Sequence, residues 1–394
     1  MIDRPGSRIE GVTVVAGGGT APVPGAMVQL DADGVVTAIE PGGRPGGPLL
    51  VPAAVDVHLD VLTARRRPRA GVELELPGVL AALDAECAGA GIATVCIAAR
   101  FEHAPAKGVL LHDAVALCRA VEELAPLLAC DWRVHGRVEI TDGGVVEALE
   151  DALAATTRMV LLSVMEHSAE RTRFVSAEEN RRFYAEDWGV SPDEVDAVMV
   201  AKQVGRRGAA QRRTAVAALA RGRSIALASH DDRTPEQVDE AHALGATVAE
   251  FPLTAAAARR ARELGMHTVL GAPNAVRGRS TAPGNLVVAE AVAEGLCDVL
   301  CSDYLPGALL AAPFALAGDD LGRLGELVDL SAANPAAALG LAAPTIALGE
   351  PLDAVLVRQV RALPLPLATW RAGRLVQRRG HLTGAPLPAS ATAS

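Results

Sequence analysis

The sequence predicts an α/β protein: a (β/α)8 TIM-like barrel with a small β-sandwich domain formed from both chain ends. Three observations carry that prediction. Eight short runs rich in Val, Ile and Leu alternate with helical patterns through the middle of the chain, which is how parallel strands joined by crossover helices read. The runs are continuously apolar, as expected of strands buried on both faces. The ends instead carry short Gly-rich strand patterns broken by turn residues such as DADG at 31–34.

Taken in order, residues 1–50 contain GVTVVAGGG and GAMVQLDADGVVTAIEPGG, short strands that pair in expectation with DAVLV, LATWRAG and RLVQRRG in 346–385. Residues 51–345 are expected to be the barrel. Its strands are VDVH (55–58), ATVCIAAR (93–100), WRVHGRVEI (132–140), MVLLSVMEH (159–167), SIALASH (224–230), ATVAEFP (246–252), HTVLGAP (267–273) and CDVLCSD (297–303). Helical patterns such as LPGVLAALDAECAGAG, TPEQVDEAHALG and TAAAARRARELG fill most gaps. A doubly wound open sheet is the main alternative, but no G-x-G-x-x-G follows an early strand. The last residues, 386–394, read as a disordered tail.

The longest interval between strands, 168–222, is an insertion. It concentrates Arg171, Arg173, Arg181 and Arg182 with Phe174, Phe183, Tyr184 and Trp188, then continues as an amphipathic helix over about 191–222. In a chain with 3% aromatic residues, this clustering suits an ordered lid over a substrate or a helical insertion with its own satellite core.

Composition excludes several classes. Net charge is −10, without a long basic run, and aromatics are few, which argues against nucleic-acid partners. Mean hydropathy is +0.25, yet Pro, Asp, Glu or Arg interrupt every apolar region before a membrane span of roughly 20 residues is complete. The opening MIDRPGSRIEGVTVV lacks the apolar core of a secretory signal, so a cytoplasmic protein is expected. The six cysteines form no C-x-x-C pair and read as buried thiols. Lys107 and Lys202 are the only lysines, and neither falls at an expected strand end.

The polar residues recur at one kind of place, the C-terminal ends of the strands. His58 and Asp60 close the first, Glu139 the third, Glu166 and His167 the fourth, His230 with Asp231 and Asp232 the fifth, Asn274 the seventh and Asp303 the eighth. In a barrel these ends share one face, where active sites are built. Imidazoles mixed with carboxylates suit first-row divalent ions. The expected metal-centre residues are His58, Asp60, Glu139, His167, His230 and Asp303, holding one or two ions (Zn, Mn or Mg). Glu139 could bridge a pair of ions roughly 3.5–4 Å apart, unless His135 or Arg137 faces inward instead. Asp303 could orient a water and take its proton. Each residue also has a bland reading: a strand-end His is commonly a surface residue, and Asp231 or Asp232 could cap the helix that begins near Thr234 and Pro235.

The pattern resembles the amidohydrolase superfamily, in which a metal-bearing barrel carries a small β-sandwich. Within it, VDVHLD, GIATVCIA, VMEHS, ASHDDRTPEQVDEAHALGATVAEFPLT, GMHTVLGAPNAVRGRS and LCDVLCSDYLPGALL resemble, in order, the phosphonate-degradation branch. That resemblance implies hydrolysis of the triphosphate of a ribosyl phosphonate with release of pyrophosphate. It also implies the same six metal-centre residues, with Glu139 matched by strand position. Phosphate oxygens are expected on Arg277, Arg171, Arg173, Asn274, Ser280 and Asn285. The chain departs from the branch at HLDVLT, where Val61 and Thr63 replace Asn and Glu, at AERTRF (169–174) and at STAPGN (280–285). The metal frame is kept more fully than the substrate frame. A C–N bond hydrolase is the alternative activity, and a scaffold with a vestigial metal site is the non-enzymatic one. A small phosphorylated molecule is the expected partner, with no nucleic acid and no membrane; the superfamily's habit of oligomerising admits a homo-oligomer.

Overall fold

The computed structural model describes residues 7–43, 46–105, 108–168, 171–174, 176–280, 282–361 and 363–379, without the side chain of Asp187. The tail expected at 386–394, His381 and Lys107 lie outside them.

The two chain ends meet in one sheet. Strands β1 (Arg8–Val14), β2 (Val23–Leu30), β3 (Val36–Glu40) and β4 (Leu49–Pro52) come from the start of the chain. Barrel strands β5 to β12 follow, and β13 (Ala354–Val360), β14 (Leu363–Arg371) and β15 (Arg374–Arg378) return at the end. The order is β15-β14-β13-β4-β1-β2-β3, with β4 parallel to β1 and antiparallel to β13. The sheet is continuous and curls over a shared core of Ile9, Val12, Val28, Leu30, Leu50, Leu356 and Trp370. It curls far enough for the turn at Gly34 to touch the turn at Gly373 backbone to backbone. Both residues have positive φ (79° and 76°), and a Cβ on Gly34 would lie 2.0 Å from the Gly373 carbonyl oxygen.

The barrel strands are β5 (Ala54–Leu59), β6 (Ile92–Phe101), β7 (Asp131–Glu139), β8 (Met159–Met165), β9 (Ala226–His230), β10 (Val248–Glu250), β11 (His267–Gly271) and β12 (Val299–Cys301). They pair in parallel and in chain order. The ring closes at Leu59 and Asp303, where Asp60 N donates to Asp303 O (2.6 Å) and Asp303 N donates to His58 O (2.9 Å). This seam is short because β12 has three residues. The buried Asp56 carboxylate reinforces it by accepting from Ser302 N (3.0 Å), Ser302 Oγ and His58 N (3.2 Å). Below the rim, Val57, Leu161, Ala228, Val248, Val269, Val299 and Cys301 plug the interior, and a larger apolar layer fills the space between strands and helices.

The helix after β9 starts at Pro235, with Thr234 and Gln237 forming a reciprocal cap. Thr234 takes the cap, and Asp231 and Asp232 are left to other contacts. Among the described residues, the insertion holds the helices Ala177–Trp188, Pro192–Gly205 and Ala209–Gly222. The single helix expected over 191–222 is interrupted by a 3-10 turn at Arg206–Gly208, where Gly208 leaves helical geometry (φ −110°, ψ 4°), and Gly205 packs its backbone on the Thr141 carbonyl, where a Cβ would sit 1.8 Å from the oxygen. Arg212 then donates to the Gly205 carbonyl. The insertion's aromatic residues do build a satellite core, around Phe174, Tyr184, Val195 and Ala282. All six cysteines are free and buried. Among the described residues, no helix is long and apolar enough to cross a membrane.

Candidate metal centre

Alternate residues of a strand face the same side, so β7 turns His135, Arg137 and Glu139 inward together, and all three are buried. The sequence posed them as alternatives. Other strands add His58, Ser163, His230 and Glu250, and the segments just beyond β5, β8 and β12 add Asp60, His167 and Asp303. Three residues at this rim, Asp231 (φ 57°), Phe251 (53°) and Asp303 (55°), hold left-handed backbone without being glycine. Asp231 and Phe251 follow directly on strand ends, and Asp303 lies two residues beyond one. Such conformations cost of order 1–3 kcal/mol and concentrate where side chains are aimed for function.

The three expected histidine ligands share one arrangement. His58 Nδ1 lies 2.6 Å from Glu250 Oε1, His167 Nδ1 2.6 Å from Glu139 Oε2, and His230 Nδ1 3.4 Å from Asp231 Oδ2. A carboxylate on Nδ1 fixes the ring and the tautomer, leaving the Nε2 lone pair for a metal ion. Burial works against the charge on each carboxylate, and the histidines overcome it. Glu139 is drawn down to about 2 by burial opposed and outweighed by the His167 hydrogen bond, the His167 charge and the Lys202 ammonium. Asp231 is drawn down to about 2 against burial by His230. Glu250 falls well below the usual range against burial, through the charge of His58 and its hydrogen bond.

Glu250 also anchors a second layer. Ser163 Oγ donates to its Oε2 (2.5 Å), and His135 Nε2 lies 2.7 Å from Ser163 Oγ. Burial holds His135 down to about 3, so its imidazole is neutral. Its Nδ1 is buried with no hydrogen-bond partner. Donor atoms of His58, His135 and Glu250 all lie within 4.8 Å of one another, a group that could hold a metal ion. The neutral imidazole with an unpartnered nitrogen, beside three histidines whose Nδ1 faces a carboxylate, fits a divalent cation.

Two cations of the chain enter the same space. Arg137 Nη1 is paired with the Asp60 carboxylate, and its Nη2 is 3.3 Å from His230 Nε2. Burial would raise Asp60, but Arg137 and Arg100 bring it below its ordinary value. Lys202, 4% exposed, arrives from the insertion and stands 3.0 Å from Asp142, 3.5 Å from Glu102 and 3.9 Å from Glu139. It lies on a helix, yet the fold carries it to a strand end.

The structure therefore brings His58, Asp60, Glu139, His167, His230 and Asp303 to one rim. Glu139 differs from the expected bridge: one oxygen faces His167 and the other accepts from Thr141, so it stands behind a histidine. Asp303 is raised by burial against the charge of His58. It lies near Asn274 and Phe251 around Gly271, and Asn274 Oδ1 is buried without a partner. Arg173 stacks on Phe183 with its guanidinium carbon 4.5 Å from the ring centroid, and its charge acts on Asp231 and Asp303.

Other expected substrate residues fall elsewhere. Asn285 donates to the Arg173 carbonyl (3.2 Å) and accepts from Arg233 (3.3 Å), so it positions that loop. Arg171 pairs with Glu240 (2.5 Å) and lies 3.7 Å from Glu166 and 3.6 Å from Asp232, outside the ring of histidines. Arg277 is exposed at the end of the short helix Ala272–Arg277, and Ser280 is half-buried beyond it. Glu250, Ser163 and Lys202 were not expected at the centre, His135 and Arg137 were expected only as rivals of Glu139, and Asp231 was expected at the rim or as a helix cap. All but Lys202 lie on or just beyond barrel strands, where parity could have found them; Lys202 carries no local signal.

No family model matches the chain. It is 33% identical over 336 residues to the alpha-D-ribose 1-methylphosphonate 5-triphosphate diphosphatase of Escherichia coli (strain K12), covering 84% of this chain and 88% of that protein. Among solved structures, it resembles a 5-methylcytosine deaminase from Klebsiella pneumoniae with a TM-score of 0.60 and 14% identity, over 97% of this chain and 100% of that one. It also resembles an enamidase of the amidohydrolase superfamily, with a TM-score of 0.57 and 13% identity, over 96% and 97% of the two chains.

Proposed function

The chain belongs to the amidohydrolase superfamily, in the family of the Escherichia coli alpha-D-ribose 1-methylphosphonate 5-triphosphate diphosphatase, and from that premise we propose that this metal-dependent hydrolase cleaves the triphosphate of a ribosyl phosphonate and releases pyrophosphate. One observation carries the metal-dependent part of the reading: three histidines, each with a carboxylate on Nδ1, turn toward one rim beside Asp303. His58, His167 and His230, with Asp60 and Asp303, would hold one or two divalent ions. An imidazole-rich set favours Zn over Mg.

Such an ion lowers the pKa of water and offsets charge on phosphoryl oxygens. The remaining work falls to the chain. Asp303 accepts the proton of the attacking water, a role that its burial-raised carboxyl suits. Phosphoryl transfer depends chiefly on positioning and charge stabilisation. Arg173, held rigid by its aromatic stack, is the cation for a non-bridging oxygen, and Asn274 supplies a neutral hydrogen bond. The substrate is a small phosphorylated molecule, and a cytoplasmic setting fits it.

The test is pyrophosphate release from a 5-triphosphate ribosyl phosphonate by the metal-loaded protein, beside a panel of cyclic amides and aminated bases. Turnover of the triphosphate alone is the expected result. Ammonia or carboxylate release from the panel, with the triphosphate untouched, overturns the diphosphatase reading and leaves a C–N hydrolase.

A further inference from the structure

Arg137 lies where the sequence led us to expect a metal. Its guanidinium pairs with Asp60 and places Nη2 3.3 Å from His230 Nε2, the nitrogen that ligation through His230 would use. We infer that Arg137 is a resident cation of this centre, filling the seat between Asp60 and His230, so that the site takes one divalent ion and not two.

Several features make the seat a built one. Arg137 rises from β7 inside the barrel, in register with Arg100 on β6 and Ser163 on β8. Its side chain is 10% exposed. A guanidinium cannot shed its charge by deprotonation in a protein, so an ion placed between Asp60 and His230 would meet a fixed like charge in a largely dry cavity. The charge also acts on both His58 and Asp303. The expected ligands outside that seat are His58, His167 and Asp303. Its Nε is buried without a hydrogen-bond partner, which leaves one N–H for an oxygen of a bound anion. The planar fork of arginine suits phosphoryl oxygens. Arg137 thereby takes the part that a second ion plays in two-metal sites, namely offsetting charge on the group under attack. The inference rests on the metal-dependent hydrolase reading and deepens it.

The experiment counts metal. The full chain is loaded with excess Mn²⁺ or Zn²⁺, freed of loose ions by gel filtration, and measured by elemental analysis beside Arg137→Met and Arg137→Lys. The expected result is one ion per wild-type chain, two in Arg137→Met, and one in Arg137→Lys, which keeps the charge. Two ions in the wild type overturn the inference whether or not the variants fold. An unchanged count in a folded Arg137→Met variant overturns it as well. A wild type that binds no ion removes the metal-dependent reading and the inference together. One ion in the wild type and two in Arg137→Met, without turnover of the ribosyl triphosphate, supports the inference while removing the proposed substrate.

Discussion

The lower and upper halves of the barrel interior are built on different principles. Below, Val57, Leu161, Ala228, Val248, Val269 and Val299 fill space by volume, and any residue of similar shape would serve. Above, His58, His135, Ser163, Glu139, Glu250 and Arg137 are almost as buried, but each is specified by a partner. The contrast teaches that one strand periodicity can deliver either a plug or a polar network, and that only the network needs all its members at once. A half-satisfied buried network is costly.

Four substitutions would break or sharpen this contrast, the largest effect first. Asp303→Asn strikes the upper half at its chemistry: kcat should fall about 10²–10⁴-fold, the usual worth of a general base, while elemental analysis finds the metal retained. Wild-type turnover would remove Asp303 from proton transfer. Leu161→Ala strikes the lower half and should cost about 2–5 kcal/mol of stability by denaturant titration, with kcat unchanged. A matching loss of metal would show that the halves are not independent.

Asp232 tests the converse, a buried carboxylate whose oxygens have no hydrogen-bond partner. Burial lifts it from 3.8 to about 6. Because the folded value is the higher one, ionisation opposes folding. The penalty is absent below the unfolded value, grows between the two and is full above about 6. Asp232→Asn should therefore stabilise the protein by at most about 3 kcal/mol at neutral pH, and the gain should vanish near pH 4 when stability is measured across pH. A gain that persists at low pH would assign it to packing. Glu250→Gln is the smallest of the four. It removes the acceptor that fixes the His58 ring while keeping its shape, so metal affinity should weaken about 10–100-fold and the Tm of the metal-free protein should fall, because the amide leaves the buried network half satisfied. Unaltered affinity would mean that His58 needs no such support.

Much of this was legible in the sequence. The eight apolar runs became eight strands, and His58, His167, His230 and Asp303 arrived at one rim. Both signals are local, since an apolar run and its polar end lie within ten residues. The same parity argument applied to WRVHGRVEI would have turned His135, Arg137 and Glu139 inward together rather than as rivals. The insertion was harder to read. Its aromatic clustering marked a satellite core, but nothing in AVMVAKQVG announces that Lys202 crosses to three carboxylates.

By itself, then, the sequence determined the kind of barrel, the face that carries chemistry and the residue types gathered there, because strand period and burial follow from short-range pattern. Only the tertiary structure decided who pairs with whom: Glu250 with His58 across 192 positions, Lys202 beside Glu139, Arg137 between Asp60 and His230. Those choices depend on how a closed ring aligns distant strand ends, and in a cavity with little water each buried charge must take whichever opposite charge the closure brings within reach.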